Sequence, residues 1–340
     1  MISKFRKLLA DSSFNSHKNF KVLTSLLSKN YSAPSERFLD VKIYPPHHSF
    51  LNKPPNYPQN PILFIHDIFG NKNLYSKEVD ELSQRLETPV YNINLPYNLL
   101  NKNLLDLSKI FSYQIDQNLK LNKFNLIGYG FGGKLSMIFS LLNPDQVDKL
   151  VIVDEIPKMN NQLVIEDFKT YLNVLDHIVN DLKLSKSNKS WVEISQDYIS
   201  KSITDPAIQN YLLLNLTNAR NSTHSSKHIE SKIPLDLIGQ TIHNKNLVDW
   251  PEKKLNNRQF NNNTFFLLGK SSKYLKNQGV FTNDVFNYFP NNKIEYLNTS
   301  HFLIEEQSTT FVNKVCGYLI NNGDIDDIPD NAVSSACEVT

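Results

Sequence analysis

Between about residue 61 and residue 320, short apolar runs of strand length alternate with longer stretches whose apolar positions recur every three or four residues. This pattern predicts an α/β fold with a mostly parallel sheet covered by helices on both faces. The runs predict strands at Pro61 to His66, Pro89 to Leu95, Phe124 to Gly128, Lys149 to Asp154, Thr264 to Leu268 and Lys293 to Leu297. Phe311, Val315 and Leu319, spaced by four, predict a closing helix that lays one stripe on the sheet. From about 158 to 234 the alternation stops, and Phe168, Tyr171, Leu172, Leu175 and Ile178 stand at helical spacing. An insertion of this kind predicts a helical cap over a site at the carboxyl ends of the strands, where it excludes water.

The two ends follow different rules. Before Glu36 the one acid is Asp11, set among Lys4, Arg6, Lys7, Lys18, Lys21 and Lys29 with interspersed Ser, Phe and Leu. Residues 1–31 therefore read as a mitochondrial presequence, with a basic surface helix as the other reading, and the expected location is mitochondrial. Residues 323–340 carry Asp324, Asp326, Asp327, Asp330 and Glu338 with almost no core-forming pattern, which predicts a solvated acidic tail. The α/β domain is expected over 32–322.

Composition narrows the function classes. A chain of 340 residues, 40% of them hydrophobic, can bury one large core. Its 36 basic and 34 acidic residues nearly cancel, which argues against nucleic acid as a partner. No apolar run approaches the roughly 20 residues of a transmembrane helix. Cys316 and Cys337 make neither a disulfide framework nor a metal cluster. His224 and His228 have i,i+4 spacing, but no Glu stands between them in metalloprotease fashion, so no metal site is expected.

The most specific motif is Gly128-Tyr129-Gly130-Phe131-Gly132-Gly133, between a predicted strand and a helix patterned by Leu135, Ile138, Phe139 and Leu142. In a nucleophile elbow the chain turns so sharply that small residues must flank a central one raised above the sheet. Gly128, Gly132 and Gly133 meet that need, and Gly130 takes the central place, where serine normally stands. A phosphate-binding glycine turn is the other reading, but neither the P-loop ending nor a full dinucleotide fingerprint is present.

Two more stations agree with the elbow. His66-Asp67-Ile68-Phe69-Gly70 follows the first predicted strand, which makes Ile68 and Phe131 candidate backbone donors of an oxyanion hole. Ser300-His301-Phe302 follows the last predicted strand, where a general-base histidine belongs. The loop after Leu268 offers no carboxylate, whereas Asp154 ends its strand and is a candidate to orient His301. A loop-capping role is the alternative for Asp154.

From about Pro61 to Leu319, through Pro61 to Gly70, the elbow, Val153-Asp154 and Ser300-His301, the chain resembles the yeast mitochondrial ethanol (alcohol) acetyltransferases and related α/β-hydrolase-fold proteins. The resemblance implies an α/β-hydrolase fold with a helical cap. It also implies a Ser-Asp-His relay, here Gly130, Asp154 and His301. The implied reaction makes acetate esters such as ethyl acetate from an alcohol and acetyl-CoA as substrate, with esterase and thioesterase side activity. Small-molecule substrates and no bound cofactor are expected.

The departures from that family gather at the site. Gly130 cannot carry an acyl group. Asp67 replaces a glycine and opposes an oxyanion if it faces inward. Asn92-Ile93-Asn94-Leu95-Pro96-Tyr97 stands for the family's Asp-x-Arg-Asn-His-Gly, and Ser300 replaces the glycine before the histidine. Two readings follow: a transferase in which His301 deprotonates the alcohol for direct attack on acetyl-CoA, or a pseudoenzyme that binds a ligand or partner without turnover.

Overall fold

The computed structural model describes residues 39–47, 57–100, 102–159, 161–219, 227–242, 249–255, 257–275 and 281–321. The expected presequence, the acidic tail and His224 lie outside the described residues.

In chain order the elements are β1 (Val41–Tyr44), β2 (Ile62–Ile65), α1 (Ser76–Leu86), β3 (Val90–Ile93), α2 (Leu104–Gln114), β4 (Phe124–Tyr129), α3 (Phe131–Leu142) and β5 (Val147–Val153). The intervening segment holds α4 (Asn161–Asp176), α5 (Trp191–Ser202), α6 (Pro206–Leu213), the two-residue strands β6 (Leu216–Thr217) and β7 (Glu230–Ser231), α7 (Leu235–Ile242) and α8 (Glu252–Leu255). The chain then returns through β8 (Thr264–Gly269), α9 (Phe281–Tyr288), β9 (Asn292–Leu297), α10 (Leu303–Glu306) and α11 (Ser308–Ile320).

The main sheet runs β1-β3-β2-β4-β5-β8-β9, with β1 antiparallel to β3 and every other pair parallel. Each of the six strands expected from the sequence is present, with borders shifted by a residue or two, as element ends commonly are. β2, β4 and β8 are buried along their whole length, which is why they read as unbroken apolar runs. β1 was not expected: Val-Lys-Ile-Tyr is short, half exposed and at the sheet edge, so it carries little apolar signal.

Helix α3 has no solvent face. All of its residues except Leu142 are buried, because it lies on the central strands beneath α2. Phe311, Val315 and Leu319 of α11 are buried as their spacing predicts, and α11 packs on α1. In the insertion, α4 turns Phe168, Tyr171 and Leu175 inward and packs against α7. The insertion is fastened to the turn after β2. The buried Asn215 donates from Nδ2 to the Phe69 carbonyl at 2.7 Å and accepts from Asn71 Nδ2 at 3.1 Å, while the Phe69 ring meets Phe168 and Tyr171 edge-on.

Register sets the site. Ile65 lies level with Gly128, Gly128 with Ile152, Val153 with Leu267, and Gly269 with Leu297. The turns that carry residues 67, 130, 154, 272 and 301 therefore emerge along one edge of the sheet, at the strands' carboxyl ends.

Candidate active site

Gly130 stands at the strand-to-helix turn with φ of +53° and ψ of −122°. That backbone region suits glycine and strains any residue with a Cβ. Its N–H donates to Val153 O at 3.0 Å, and its carbonyl accepts from Lys134 N at 3.1 Å, so the elbow keeps its sharp form without a side chain. Close packing explains the flanking glycine at 132, where a Cβ would run into the Ile65 and His66 carbonyls.

Asp154 and His301 meet as their strand-end positions predict. His301 Nδ1 lies 2.6 Å from Asp154 Oδ2. The same carboxylate accepts from Gly269 N at 2.7 Å and from Ser272 Oγ at 2.7 Å, and Asp154 is fully buried. Asp154, at a φ of +44°, thus both contacts His301 and caps the turn from Gly269 to Ser272. The His301 ring stacks on Tyr129 at 5.3 Å, and the Tyr129 hydroxyl donates to the His301 carbonyl at 3.0 Å.

Asp67 faces inward. Its Oδ1 accepts from Phe131 N at 2.7 Å, so the backbone donor expected for an oxyanion hole is engaged by the protein's own carboxylate. Its Oδ2 faces His301 Nε2 at 3.6 Å. An ideal Cβ built on Gly130 would lie 2.5 Å from Asp67 Oδ1 and 2.6 Å from its Cγ. The carboxylate thus occupies the space of the missing elbow side chain. Ile68, the other expected donor, is buried in the same turn, which is tied by Gly70 N to Asp67 O at 2.8 Å and by His66 Nδ1 near Asp67 O at 2.7 Å. Asn92 and Asn94, which depart from the family pattern, brace this turn through Lys72 O at 2.9 Å and Lys72 N at 2.6 Å.

His301 is therefore flanked by two carboxylates in a buried site. Burial alone would lower its pKa, but the hydrogen bond to Asp154 and the facing Asp67 outweigh that and raise it to about 10. The two carboxylates thus favour the doubly protonated imidazole, a form that offers no lone pair as a base.

A cavity of about 20 Å³, room for one water, lies beside Gly130 and is lined by Asp67, Phe131, Lys134, Glu155, Tyr274 and His301. Tyr274 and His301 also border a larger cleft of about 400 Å³ under the insertion, together with Tyr171, Ile203, Ile208 and Phe302. Lys134 and Glu155, which sequence reasoning missed, form a buried ion pair at 3.6 Å. Burial pushes the Glu155 carboxyl up to about 7 against the pull of Lys134. The available signals were Lys134 as the one cation in an apolar helix and Glu155 directly after Asp154. Among the described residues no cluster of His, Cys, Asp or Glu suits a metal, and His228 Nδ1 lies 2.6 Å from Lys183 O.

Two tests follow from this geometry. Gly130→Ser alone brings a Cβ against Asp67 at a strained φ and should cost about 1–3 kcal/mol of stability. Adding Asp67→Gly should raise the melting midpoint again, whereas an equal or lower midpoint for the pair would show that Asp67 does not fill that volume. The second test uses pH. The His301 pKa rises from an ordinary value of about 6.5 in the unfolded chain to about 10 in the fold. Its contribution to stability is full below about pH 6.5 and fades as pH climbs through about 10. Thermal melts of the parent should fall across that window more steeply than those of His301→Gln, and parallel curves would contradict the charged imidazole.

The chain as a whole is similar to known proteins. Residues 60–308 match the family described as alpha/beta hydrolase fold. Ethanol acetyltransferase 1 of Wickerhamomyces anomalus is 29% identical over 76% of this chain and 68% of that protein. Ethanol acetyltransferase 1 of Hanseniaspora uvarum is 27% identical over 84% of this chain and 87% of that protein. Among solved structures, a marine microorganism esterase superposes with a TM-score of 0.63 at 18% identity, covering 82% of this chain and 98% of its own. An enol-lactonase from Burkholderia xenovorans reaches a TM-score of 0.53 at 9% identity, covering 83% and 96%. The resemblance and the fold read from the sequence are borne out: the chain belongs to the α/β hydrolase fold family.

Proposed function

We propose that the chain transfers the acetyl group of acetyl-CoA to short alcohols, giving acetate esters such as ethyl acetate, with ester or thioester hydrolysis as a side activity. The observation that carries this reading is the relay at the elbow, with His301 held by Asp154 at 2.6 Å beside the cavity next to Gly130. Relatives named ethanol acetyltransferase at 27–29% identity over most of the chain support the same chemistry. His301 is the proton carrier. Its protonated state suits a general acid that delivers a proton to the departing CoA thiolate. Asp154 orients the ring and balances its charge. The larger cleft mixes polar side chains such as Asp167, Asp205 and Lys273 with Tyr171, Ile203, Ile208 and Phe302, and has room for a small acyl or alkyl group.

One observation favours a second reading, a scaffold that binds without turnover. Asp67 occupies the Phe131 N–H that would otherwise stabilise an oxyanion. That reading predicts no product from the natural chain.

The same proposal places the protein in mitochondria, supported by the basic, acid-poor composition of residues 1–31. A fluorescent protein fused behind these residues should enter mitochondria of yeast cells, and a cytosolic signal would remove this placement. For the activity, the purified full-length chain should form ethyl acetate from acetyl-CoA and ethanol, and His301→Ala should reduce the rate at least about 100-fold. Product formation that survives His301→Ala would exclude the relay as its source.

A further inference from the structure

We propose that Asp67 is the nucleophile of this site, its carboxylate delivered from the turn after β2 into the place that the elbow glycine leaves open. The inference deepens the acyl-transfer reading and rests on it.

Three observations converge. The position of the missing elbow side chain and the position of the Asp67 carboxylate coincide, as the 2.5 Å from an ideal Gly130 Cβ to Oδ1 shows. The carboxylate is oriented, not merely present: Phe131 N holds Oδ1 at 2.7 Å, which leaves Oδ2 turned to His301 Nε2 at 3.6 Å. The pair also borders the cavity at the elbow, where an acyl carbon would be attacked. A nucleophile needs a proton carrier within reach and a third group to orient that carrier. Asp67, His301 and Asp154 stand in that order, with the charges of a thiolate–imidazolium pair. A carboxylate kept only to neutralise His301 would be redundant, because Asp154 already does so through a shorter contact. Burial also removes the water shell that weakens a carboxylate as a nucleophile, since Asp67 is 3% exposed.

The reaction closes on its starting state. Asp67 Oδ2 attacks the carbonyl carbon of acetyl-CoA, the C–S bond breaks, and the thiolate takes the Nε2 proton of His301. CoA leaves, with the acetyl group on Asp67 as a mixed anhydride. Acylation removes the charge of Asp67, so His301 now faces one carboxylate and becomes a base. It takes the proton of ethanol as the alcohol oxygen attacks the acetyl carbon. The bond between that carbon and Asp67 breaks, ethyl acetate departs, and Asp67 carboxylate and His301 imidazolium are restored. Lys134, held by Glu155 at 3.6 Å, is a cation that lines the same cavity, while Phe131 N is engaged by Asp67.

The test uses the full-length chain, Asp67→Asn, and the double variant Asp67→Gly with Gly130→Ser. Each is assayed for ethyl acetate formation and for exchange of radiolabelled CoA into acetyl-CoA without alcohol. The amide of Asp67→Asn still offers an oxygen to Phe131 N, and a melting curve checks that it folds. The expected result is that the parent does both reactions and that Asp67→Asn loses both by at least about 10³-fold. Direct attack of the alcohol would give the opposite sign, since removing the Asp67 charge frees His301 as a base. A parent that forms ester without exchange, or an Asp67→Asn variant as active as the parent or more so, overturns the nucleophile and leaves acyl transfer standing. An inert parent beside an active double variant overturns acyl transfer by the natural chain, and Asp67 with it; so does inactivity of both.

Discussion

The contact between His301 and Asp154 joins segments 147 residues apart in the chain, and the electrostatics of the site depend on it. Two carboxylates, Asp67 and Asp154, are buried on either side of one imidazole. Left without a cation, each would carry a desolvation penalty of several kcal/mol. With His301 protonated, the three form a line of alternating charge. Asp154 spends its remaining capacity on Gly269 N and Ser272 Oγ, and Asp67 spends its own on Phe131 N, so the buried charges are hydrogen-bonded as well as paired. Gly269 ends β8 and Ser272 lies in the turn that follows, a segment without a carboxylate of its own. That loop serves the relay from outside by holding the acid that β5 supplies.

Gly130 and Asp67 are best understood together. A glycine at φ of +53° relieves the strain that a serine there would bear, but it also leaves a hole in a buried turn. The Asp67 side chain fills that hole, and it could not do so beside a serine, since the Cβ alone would sit 2.5 Å from its oxygen. Each residue therefore removes the reason to keep the family's residue at the other position. The glycine and the carboxylate are thus a matched pair in space, which a change at Gly130 alone would not produce.

Much of this was legible in the chain. Unbroken apolar runs mark the central strands because parallel strands are buried on both faces, and the meeting of Asp154 with His301 is legible because each follows a strand that ends at the same edge of the sheet. β1 escaped because an edge strand alternates too briefly to be distinguished from a loop. Lys134 and Glu155 escaped because their pairing joins the first turn of α3 to the turn after β5, a contact that the sheet register creates and no spacing announces. Asp67 stands out in the sequence as a departure from the family pattern, but its effect depends on the direction of its side chain. That direction is set by the turn from His66 to Gly70, and the asparagines that brace the turn read as mere losses when compared with a motif.

Access is the remaining constraint on chemistry here. The space beside Gly130 admits about one water, while the larger cleft lies across Tyr274, whose hydroxyl is held by Asp167 of α4 at 2.5 Å. His301 touches both spaces, so an acyl group arriving through the cleft reaches the imidazole before it reaches Asp67. Under the proposed acyl transfer, the acyl carbon reaches the Asp67 carboxylate only if the space beside Gly130, which Tyr274 lines, widens beyond one water. The Asn215 clasp on the Phe69 carbonyl fixes the opposite side, where Phe69 packs on Phe168 and Tyr171. Tyr274 is buried and held from two sides, through its hydroxyl on Asp167, which Lys273 also contacts, and through its edge-on contact with the His301 ring. The turn after β2, fixed by Asn215, Asn92 and Asn94, is the part of the site that would keep Asp67 oriented under the proposed acyl transfer, as pre-organised catalysis requires.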